Sequence, residues 1–315
     1  MLTIKILVHI PLYNKAATVL QAINSVLSQE YTNFDLLIIN DGSTDQSLEL
    51  VEHMESDRVL IRSQENQGVS TTRNNALQFA RENNYDSIAF LDADDYWRPD
   101  HLSLLALLFT KFPAAQAVAS NYKLKRSNNI LETKWSHFEN ENEQLLEHFF
   151  EHNFLNSIFT CSTLMIKTEA IEKVGLFNKR LTHFEDIDWF VRIGMNLNVA
   201  FSFQVTAIID ESAENRSDQT DMKNRALPDF SSYEDEIKKH KGLEKYLDLN
   251  RFSIALAYRM ENDIRNATLY QQKINLKNLS TKQQKLLLMS RLQLKSLKRT
   301  QKILGNLGLH LRAGD

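Results

Sequence analysis

The stretch SIAFLDADD at residues 87–95 joins an apolar run of strand length to three carboxylates. Similar apolar runs precede it at residues 4–10 and 34–39, and a shorter one lies at residues 58–61. Between these runs, apolar residues recur at the spacing of amphipathic helices, as in residues 19–27. Strands that alternate with helices in this way are typical of a mainly parallel sheet flanked by helices. We therefore predict an α/β fold.

The later part of the chain continues this alternation and then becomes helical. We predict helices at residues 102–109 and 185–196, strands at residues 117–119, 163–167 and 199–203, and helices from about residue 222 onward. The expected organisation is an α/β domain at residues 1–220, with halves at 1–100 and 101–220, and a helical C-terminal region at 221–315.

The composition excludes several classes of protein. The chain has 315 residues, of which 43 % are apolar and 24 % charged, so it is neither fully disordered, nor collagen-like, nor a coiled coil. The single cysteine, Cys161, excludes an internal disulfide and a cysteine-based zinc site, and it fits a reducing compartment. No apolar run reaches the 18 or so residues that span a bilayer, and residues 1–13 resemble a first strand more than a secretory signal. We expect a cytoplasmic protein.

The net charge of −3 hides an uneven distribution. Residues 265–315 carry 11 Lys and Arg against one acid, a net of +10, which leaves 26 basic and 39 acidic residues, a net of −13, in residues 1–264. Between residues 282 and 311 the basic side chains interleave with apolar ones, as in helices that lie on an anionic membrane. Residues 280–315 therefore contact a membrane peripherally, or they pack on the protein or on a partner subunit. Nucleic acid is not an expected partner, because no aromatic and basic reading motif accompanies the charge.

Polar residues follow three of the predicted strands where those strands end. Residues 11–14 follow the first strand, Asp41 the second, and Asp92 and Asp94 the fourth. Ligands of open parallel sheets bind beyond the carboxyl ends of the strands, so these residues should share one crevice. Two carboxylates two residues apart on an extended segment point the same way and suit Mn²⁺ or Mg²⁺ together with substrate phosphates. The alternative is a solvated acidic turn closed by Pro99.

Two common phosphate-binding motifs do not occur in the sequence, namely the Gly-rich dinucleotide motif and the P-loop. A bound phosphate would therefore be neutralised by a metal and by basic side chains. Arg73 opens a predicted helix and could reach a phosphate, or it could form a surface ion pair.

Five short motifs occur in register along residues 3–210. They are Pro11-Leu12-Tyr13-Asn14, Asp41-Gly42-Ser43-Thr44-Asp45, Asn66-Gln67-Gly68-Val69-Ser70 with Arg73-Asn74, Phe90-Leu91-Asp92-Ala93-Asp94-Asp95, and Phe184-Glu185-Asp186-Ile187-Asp188-Trp189. Together they resemble the family 2 glycosyltransferases, which have the GT-A fold. The resemblance implies that residues 1–100 form the nucleotide-binding half of the domain and residues 101–220 the acceptor-binding half.

The resemblance also implies how the motif residues bind the nucleotide of a donor. Tyr13 would stack on the base, and Asp41 would accept a hydrogen bond from it. Pro11 and Asn14 would belong to the same pocket, and Arg73 would contact the diphosphate or the base.

The resemblance implies the chemistry as well. Asp92 would hold the ribose or a metal-bound water, Asp94 would ligate a Mn²⁺ or Mg²⁺ ion that bridges the diphosphate, and Asp186 would be the general base. A carboxylate base activates an acceptor hydroxyl, and a metal neutralises the leaving group as a Lewis acid. One base without a carboxylate nucleophile implies a single displacement with inversion, although retention stays open because relatives with both outcomes share the fold.

Three further residues carry weaker signals. Thr182 and Glu185 have the spacing of a capping box, so Glu185 caps a helix or contacts the acceptor. His183 contacts the acceptor or a phosphate, or it is a solvated loop residue. Many relatives carry a basic residue or histidine after the last core strand, and here that stretch offers Arg216 and no histidine.

The leading hypothesis is a metal-dependent, inverting glycosyltransferase. It would move a sugar from a nucleotide-diphospho-sugar, expected to be UDP-linked, to a glycan or lipid-linked acceptor in the synthesis of a bacterial surface polysaccharide. One alternative is a sugar-nucleotide nucleotidyltransferase, whose usual Gly-rich basic loop after the first strand is not found here. The other is a non-catalytic scaffold with this fold, against which Asp92, Asp94 and Asp186 argue. We expect a cytoplasmic enzyme, held at the inner face of the membrane if the basic tail binds lipid, and self-association stays open.

Overall fold

The computed structural model describes residues 3–54, 56–127, 129–138, 143–213 and 222–306. The chain divides into two compact units. The first spans Met1–Phe149, Asn156–Thr220 and Arg225–Pro228, and the second spans Phe150–Leu155, Asp221–Asn224 and Asp229–Asp315. The predicted division of residues 1–220 into a donor half and an acceptor half stays a prediction, and Arg216 lies outside the described residues.

A mixed sheet forms the centre of the first unit. Its strands, within the described residues, are β1 (Ile6–Leu12), β2 (Phe34–Asp41), β3 (Val59–Gln64), β4 (Ser87–Phe90), β5 (Tyr96–Trp97), β6 (Ala117–Arg126), β7 (Asn129–Glu132), β8 (Gln144–Leu145), β9 (Leu164–Lys167) and β10 (Val199–Asp210). They are ordered β3-β2-β1-β4-β9-β6-β10-β5, with β7 paired to β6 and β8 paired to β10.

The helices of the first unit connect these strands. They are α1 (Val19–Leu27), α2 (Ser47–Glu52), α3 (Val69–Glu82), α4 (His101–Lys111), α5 (Ile171–Val174) and α6 (Glu185–Asn196). Short 3-10 helices occur at Phe149–Asn153, Cys161–Thr163, Thr168–Ala170, Met222–Asn224, Ser231–Glu236 and Leu276–Asn278. The helix predicted at residues 185–196 is found with these bounds.

The direction of β9 distinguishes the sheet from the predicted one. Strands β3, β2, β1 and β4 are mutually parallel, and β6 and β10 are parallel to each other. Between these two groups lies β9, which runs antiparallel to both β4 and β6. The α/β fold is confirmed. Its sheet is mixed because β9 is antiparallel at its centre and the short strands β5, β7 and β8 are antiparallel to β10 or β6. An apolar run of four residues predicts a strand but not its direction.

The apolar positions that the sequence pattern assigns to β1 and α1 are buried in the core of the first unit. Ile6, Val8 and Ile10 on one face of β1 pack into one core cluster together with Val19 and Ile23 of α1, and all five are fully buried. These positions have the period of two of a strand and the i, i+4 spacing of a helix. Burying such a side chain contributes about 1.5–3 kcal/mol each.

Strand β10 is longer than predicted. The pattern stops at Phe203 in the sequence because the polar Gln204 and Thr206 interrupt the apolar run. In the structure the register with β6 shifts between Ser202 and Ala207, and pairing then resumes as far as Asp210. An irregularity of this kind turns side chains to the other face, so it removes the alternation on which the prediction depends.

The second unit is helical, with α7 (Leu243–Met260), α8 (Ile264–Gln271), α9 (Thr281–Leu288) and α10 (Arg291–Asn306). Its core contains Phe252, Ala255, Leu287 and Leu294. In the part of the chain that the structure describes, no helix has the length and apolar character that crossing a bilayer would require.

Two buried histidines make the stability of the protein depend on pH. Burial lowers the pKa of His9 and of His101 from 6.5 to about 3. The unfolded chain therefore binds protons more readily than the folded one below about pH 6.5, and stability is lost as the pH falls. Each histidine contributes about 1.4 kcal/mol of loss per pH unit in the window between the two pKa values.

We expect His9→Asn to flatten this pH dependence. The Nδ1 atom of His9 lies 3.1 Å from the carbonyl oxygen of Leu37, a bond that an asparagine amide can replace without titrating. Urea denaturation at pH 7.5, 6.5 and 5.5 should show a slope that is lower by about half a proton on average, and by nearly one proton at the acidic end of this range. The exposed His53 provides a matched variant, His53→Asn, for the effect of the substitution itself on stability. An unchanged slope in His9→Asn would contradict the assignment.

Candidate functional site

One edge of the sheet collects most of the predicted site residues. The parallel strands β1, β2 and β4 all end there, which brings together Tyr13, Asp41 and Asp92. Because β9 runs antiparallel to β4, it begins at this edge, and the preceding turn at Cys161–Thr163 is brought to the same place. The crevice predicted at the carboxyl ends of the strands therefore receives a fourth segment.

The loop after β1 combines an exposed ring with a polar anchor. Tyr13 is 46 % exposed, so its ring is free to stack on a ligand. Asn14 has a φ of 50°, and its Oδ1 accepts a hydrogen bond of 2.7 Å from the backbone N–H of Thr44 in the loop after β2. Asn14 does not cap α1, because α1 begins at Val19 with Thr18 before it. Asn14 instead ties two loops of the site together.

Asp41 organises the segment that leads into α3. Its carboxylate accepts hydrogen bonds from the backbone N–H groups of Gln67 at 2.9 Å and Gly68 at 2.8 Å, and from the Gln64 side chain at 2.8 Å. Gly68 has a φ of 84° and directly precedes α3, so a residue with a side chain would be strained there. A carboxylate has about four acceptor positions, so one position of Asp41 remains for a ligand.

Arg73 connects two carboxylates that are distant in the sequence. One terminal nitrogen donates to Asp92 at 2.8 Å and the other to Glu185 at 3.0 Å, while the guanidinium lies 5.4 Å from the Phe177 ring centroid. The Arg73 side chain is 5 % exposed. The alternative of a surface ion pair is therefore wrong, and contact with a diphosphate stays a prediction.

The start of α6 carries three acids, Glu185, Asp186 and Asp188. The predicted capping box is wrong: Phe184 precedes the helix in a left-handed conformation, with a φ of 58°, and no side chain caps it. Thr182 uses its hydroxyl to accept from the N–H of Ala226 instead, and Glu185 is free to bind Arg73.

Burial shifts the acidity of both residues of this motif. Burial raises the pKa of Glu185 to about 7, and the neighbouring Asp186 adds to the rise while Arg73 opposes it. Burial also raises the pKa of Asp186, again against the effect of Arg73. A carboxylate with a raised pKa is a stronger proton acceptor, as a general base requires.

The acidic segment after β4 has a different partner for each carboxylate. Asp92 binds Arg73, and Asp94 binds the ammonium of Lys15 at 2.7 Å. Asp95 is buried, and it accepts from the Ser162 hydroxyl at 2.6 Å and from the N–H of Asp210 at 2.9 Å. Asp95 thus fastens the segment to the sheet, while Asp92 and Asp94 remain at the crevice.

A divalent cation fits this donor set only with help from a substrate. In the described ranges, no group of three or more His, Cys, Asp or Glu side chains is arranged to hold a metal ion. The carboxylate oxygens of Asp94 are hard donor atoms of the kind that Mn²⁺ and Mg²⁺ prefer. Mg²⁺ is commonly bound by one or two carboxylates plus substrate phosphates. The residues therefore fit a cation that binds together with a diphosphate.

The remaining predicted residues are placed as follows. Pro11 lies within β1, opposite Ile39 of β2. His183 is buried, with its Nδ1 3.0 Å from the Thr182 hydroxyl. Arg216 lies outside the residues that the structure describes.

Two residues of the site, Lys15 and Ser162, lie outside the five motifs. Lys15 directly follows the Tyr13-Asn14 motif. A basic residue so close to the end of β1 is a sequence signal for a cation beside the acidic residues that follow β2 and β4. Ser162 bonds with Asp95 through its hydroxyl, which also accepts from the N–H of Asp92 at 3.0 Å. No pattern in the sequence predicts this contact, because it depends on the antiparallel entry of β9.

The known proteins to which this chain is similar are glycosyltransferases and polysaccharide synthases by name. The family model described as "Glycosyl transferase family 2" matches residues 7–175. Glycosyltransferase GlyA of Streptococcus pneumoniae is 34 % identical over 128 residues, which are 40 % of this chain and 18 % of that protein. Chondroitin synthase of Pasteurella multocida is 28 % identical over 189 residues, 59 % of this chain and 18 % of that protein. The chain thus matches only about a fifth of the length of these curated relatives.

A solved structure shares the fold. S. aureus TarS 1–349 in complex with UDP-GlcNAc superposes with a TM-score of 0.57 and 18 % identity, covering 85 % of this chain and 91 % of that one. At this identity the likeness concerns the fold alone.

The buried ion pair of Arg73 should be a large part of the stability of this region. Arg73→Met leaves the Glu185 carboxylate buried without a cation, so we expect a loss of about 3–5 kcal/mol in the free energy of unfolding. The loss should be larger at pH 8 than at pH 6, because protonation of Glu185 removes the unpaired charge. The double variant Arg73→Met with Glu185→Gln should recover part of the lost free energy of unfolding, as measured by urea denaturation.

Arg98 offers a matched control. It pairs with Asp100 at 3.2 Å but is 59 % exposed, so Arg98→Met should cost at most about 1 kcal/mol. Equal losses in the two arginine variants would contradict the importance of the buried pair.

Proposed function

This chain belongs to glycosyl transferase family 2, and from that premise we propose that it transfers a sugar from a nucleotide-diphospho-sugar to an acceptor hydroxyl, with inversion. One observation carries the proposal. The segment with Asp92 and Asp94 is linked through Arg73 to the helix start that carries Asp186. A site for a charged donor and a site for a base are thereby held at one edge of the sheet.

The donor nucleotide lies, in this proposal, on the loops after β1 and β2. Tyr13 stacks on the base with its exposed ring, and Asp41 offers the base its remaining acceptor position. Pro11 and Asn14 shape this pocket, Asn14 by holding the loop at Thr44. We propose UDP as the nucleotide, because TarS structures contain UDP-GlcNAc or UDP.

The diphosphate lies beside the segment after β4. Asp94 would hold a Mn²⁺ or Mg²⁺ ion, and the chemistry that such an ion supplies is Lewis-acid neutralisation of the charge on the leaving diphosphate. Asp92 orients the ribose or a metal-bound water, and its position is fixed by Arg73. Arg73 thus acts on the donor through Asp92 as well as by its charge.

Asp186 acts as the general base. Its pKa is raised by burial, so it accepts the proton of the acceptor hydroxyl as the oxygen attacks the anomeric carbon. Glu185 does not share this task, because its carboxylate is bound to Arg73. One base on the acceptor side leads to a single displacement and an inverted product.

The acceptor is a glycan or a lipid-linked sugar in the synthesis of a surface polysaccharide. The support for this class is that curated relatives bear the names chondroitin synthase and hyaluronan synthase. Acceptor or phosphate contacts are assigned to His183, Glu185 and Arg216.

The helices α9 and α10 suggest where the protein works. Residues 281–306 contain seven Lys and Arg and no acid. Leu294 and Leu297 pack into the core of the second unit, whereas Leu288 and Leu292 are about four-fifths exposed beside the basic side chains. An exposed surface of leucines and cations is complementary to anionic lipid, so we propose peripheral contact with the inner face of the membrane.

Two variants separate donor binding from catalysis. UDP with Mn²⁺ should raise the melting temperature of the wild type more than GDP, CDP or dTDP does, and Asp94→Asn should lose this effect because a ligand oxygen is lost. Asp186→Asn should keep the stabilisation by UDP and lose at least about 100-fold in transfer rate, the range expected for a general base. Full transfer by Asp186→Asn, or no stabilisation of the wild type by any nucleotide at millimolar concentration, would contradict the proposal.

Vesicle binding tests the membrane contact. The protein should co-sediment at low salt with vesicles that contain phosphatidylglycerol. Lys298→Gln with Arg299→Gln should weaken binding roughly tenfold or more, since each cation near an anionic surface contributes about 1 kcal/mol. The control removes two exposed lysines elsewhere in the second unit, Lys238→Gln with Lys277→Gln, and should bind like the wild type. Failure of the wild type to sediment at low salt would overturn this contact.

A further inference from the structure

We propose that Lys15 is an exchangeable counter-cation of the donor site, and that this lysine couples the binding of the divalent cation to the binding of the diphosphate. In this inference the ammonium neutralises Asp94 until a divalent cation takes that carboxylate, and it then moves to the diphosphate of the donor. The inference rests on the proposed function, in which Asp94 is the metal ligand.

The position of the pair supports this exchange. The Nζ of Lys15 lies 2.7 Å from an Oδ of Asp94, and the two side chains are 13 % and 12 % exposed. Lys15 follows β1 and Asp94 follows β4, and these strands are parallel neighbours. The ion pair therefore bridges two adjacent strand ends at the crevice, two residues from the exposed ring of Tyr13.

Hydrogen bonds hold the backbone of Lys15 in place. The N–H of Lys15 donates to the Ser47 hydroxyl at 2.7 Å, and its carbonyl accepts from the N–H groups of Thr18 and Val19 at 3.0 and 2.9 Å. The Cα atom is thereby fixed at the first turn before α1. The charge at the end of a flexible four-carbon chain can still change partners around this fixed point.

The other carboxylates of the segment have partners that cannot exchange in this way. Asp92 is bound by Arg73, which is 5 % exposed and also holds Glu185. Asp95 is bound by Ser162 and by a backbone N–H. Asp94 is the carboxylate whose cation lies on a flexible side chain at the crevice.

Electrostatic repulsion and attraction favour the movement of the Lys15 ammonium from Asp94 to the diphosphate. A divalent ion on Asp94 repels the ammonium that was bound there, and a diphosphate beside the ion attracts it. The cation alone has to displace Lys15, so it binds weakly, whereas the cation together with the diphosphate gives Lys15 a new partner. Each ligand therefore increases the affinity for the other, and by linkage the two increases are equal.

Binding of Mn²⁺ measured without any sugar donor tests this inference. Calorimetric titrations of the full chain with Mn²⁺ alone, with UDP alone, and with UDP in the presence of Mn²⁺ give the coupling directly. Lys15→Met should bind Mn²⁺ alone about five- to tenfold more tightly than the wild type, and UDP with Mn²⁺ more weakly. The coupling factor should therefore fall, although it stays above one because the cation and the diphosphate also contact each other. Lys123→Met is the control, since Lys123 pairs with Glu132 at 2.8 Å on β6 and β7.

A second variant predicts a change in the opposite direction. Lys15→Arg places a forked cation on Asp94 that holds a carboxylate with two hydrogen bonds, so it should bind Mn²⁺ alone more weakly than the wild type. This variant keeps the charge and decides the question even if Lys15→Met does not fold. Unchanged affinity for Mn²⁺ in both variants overturns the inference, as does a coupling factor that Lys15→Met leaves intact.

The same titrations with Asp94→Asn distinguish an error in the proposed function from an error in this inference. If Asp94→Asn binds Mn²⁺ and UDP as the wild type does, Asp94 is not the metal ligand and the donor site itself is wrong. If Asp94→Asn loses Mn²⁺ and Lys15→Met behaves like the wild type, the donor site stands and the exchange is refuted.

Discussion

The buried guanidinium of Arg73 is the contact on which the arrangement of the site depends. It lies between a carboxylate that follows β4 and a carboxylate that begins α6, 93 positions further along the chain. Removing a charge from water costs several kcal/mol, so a buried cation requires partners in fixed positions. Asp92 and Glu185 pair with its two terminal nitrogens, and their neighbours Asp94 and Asp186 are placed by the same constraint. One arginine thus sets the relation between two carboxylates that it does not touch.

Much of the fold could be predicted from the alternation of apolar strands and amphipathic helices. The bounds of α6 and the starts of β2 and β4 agree with the pattern, because each of these elements has one continuous apolar signal. Strands β5 and β8 could not be predicted, since two residues have no periodicity. The extension of β10 beyond Phe203 was missed for a related reason, because its irregular register breaks the alternation.

The site was predictable where a motif follows a strand and not where a contact depends on tertiary structure. The ends of parallel strands meet at one edge, so the proximity of Asp41 and Asp92 follows from the sequence. The role of Thr182 does not, because its hydroxyl bonds to an amide 44 positions away in place of the local cap. Lys15 and Ser162 likewise acquire their roles through partners that are 79 and 67 positions distant.

The central place of β9 has a consequence for how the chain folds. Strand β4 is complete at residue 90, but its second neighbour begins only at Leu164. While a ribosome makes the intervening segment, the parallel group β3-β2-β1-β4 has an unpaired edge in what will be the middle of the sheet. Unpaired edges recruit strands from other chains, and pairings that span many residues form slowly. Between the synthesis of residue 90 and that of residue 167, the edge of β4 is therefore open to pairing with other chains.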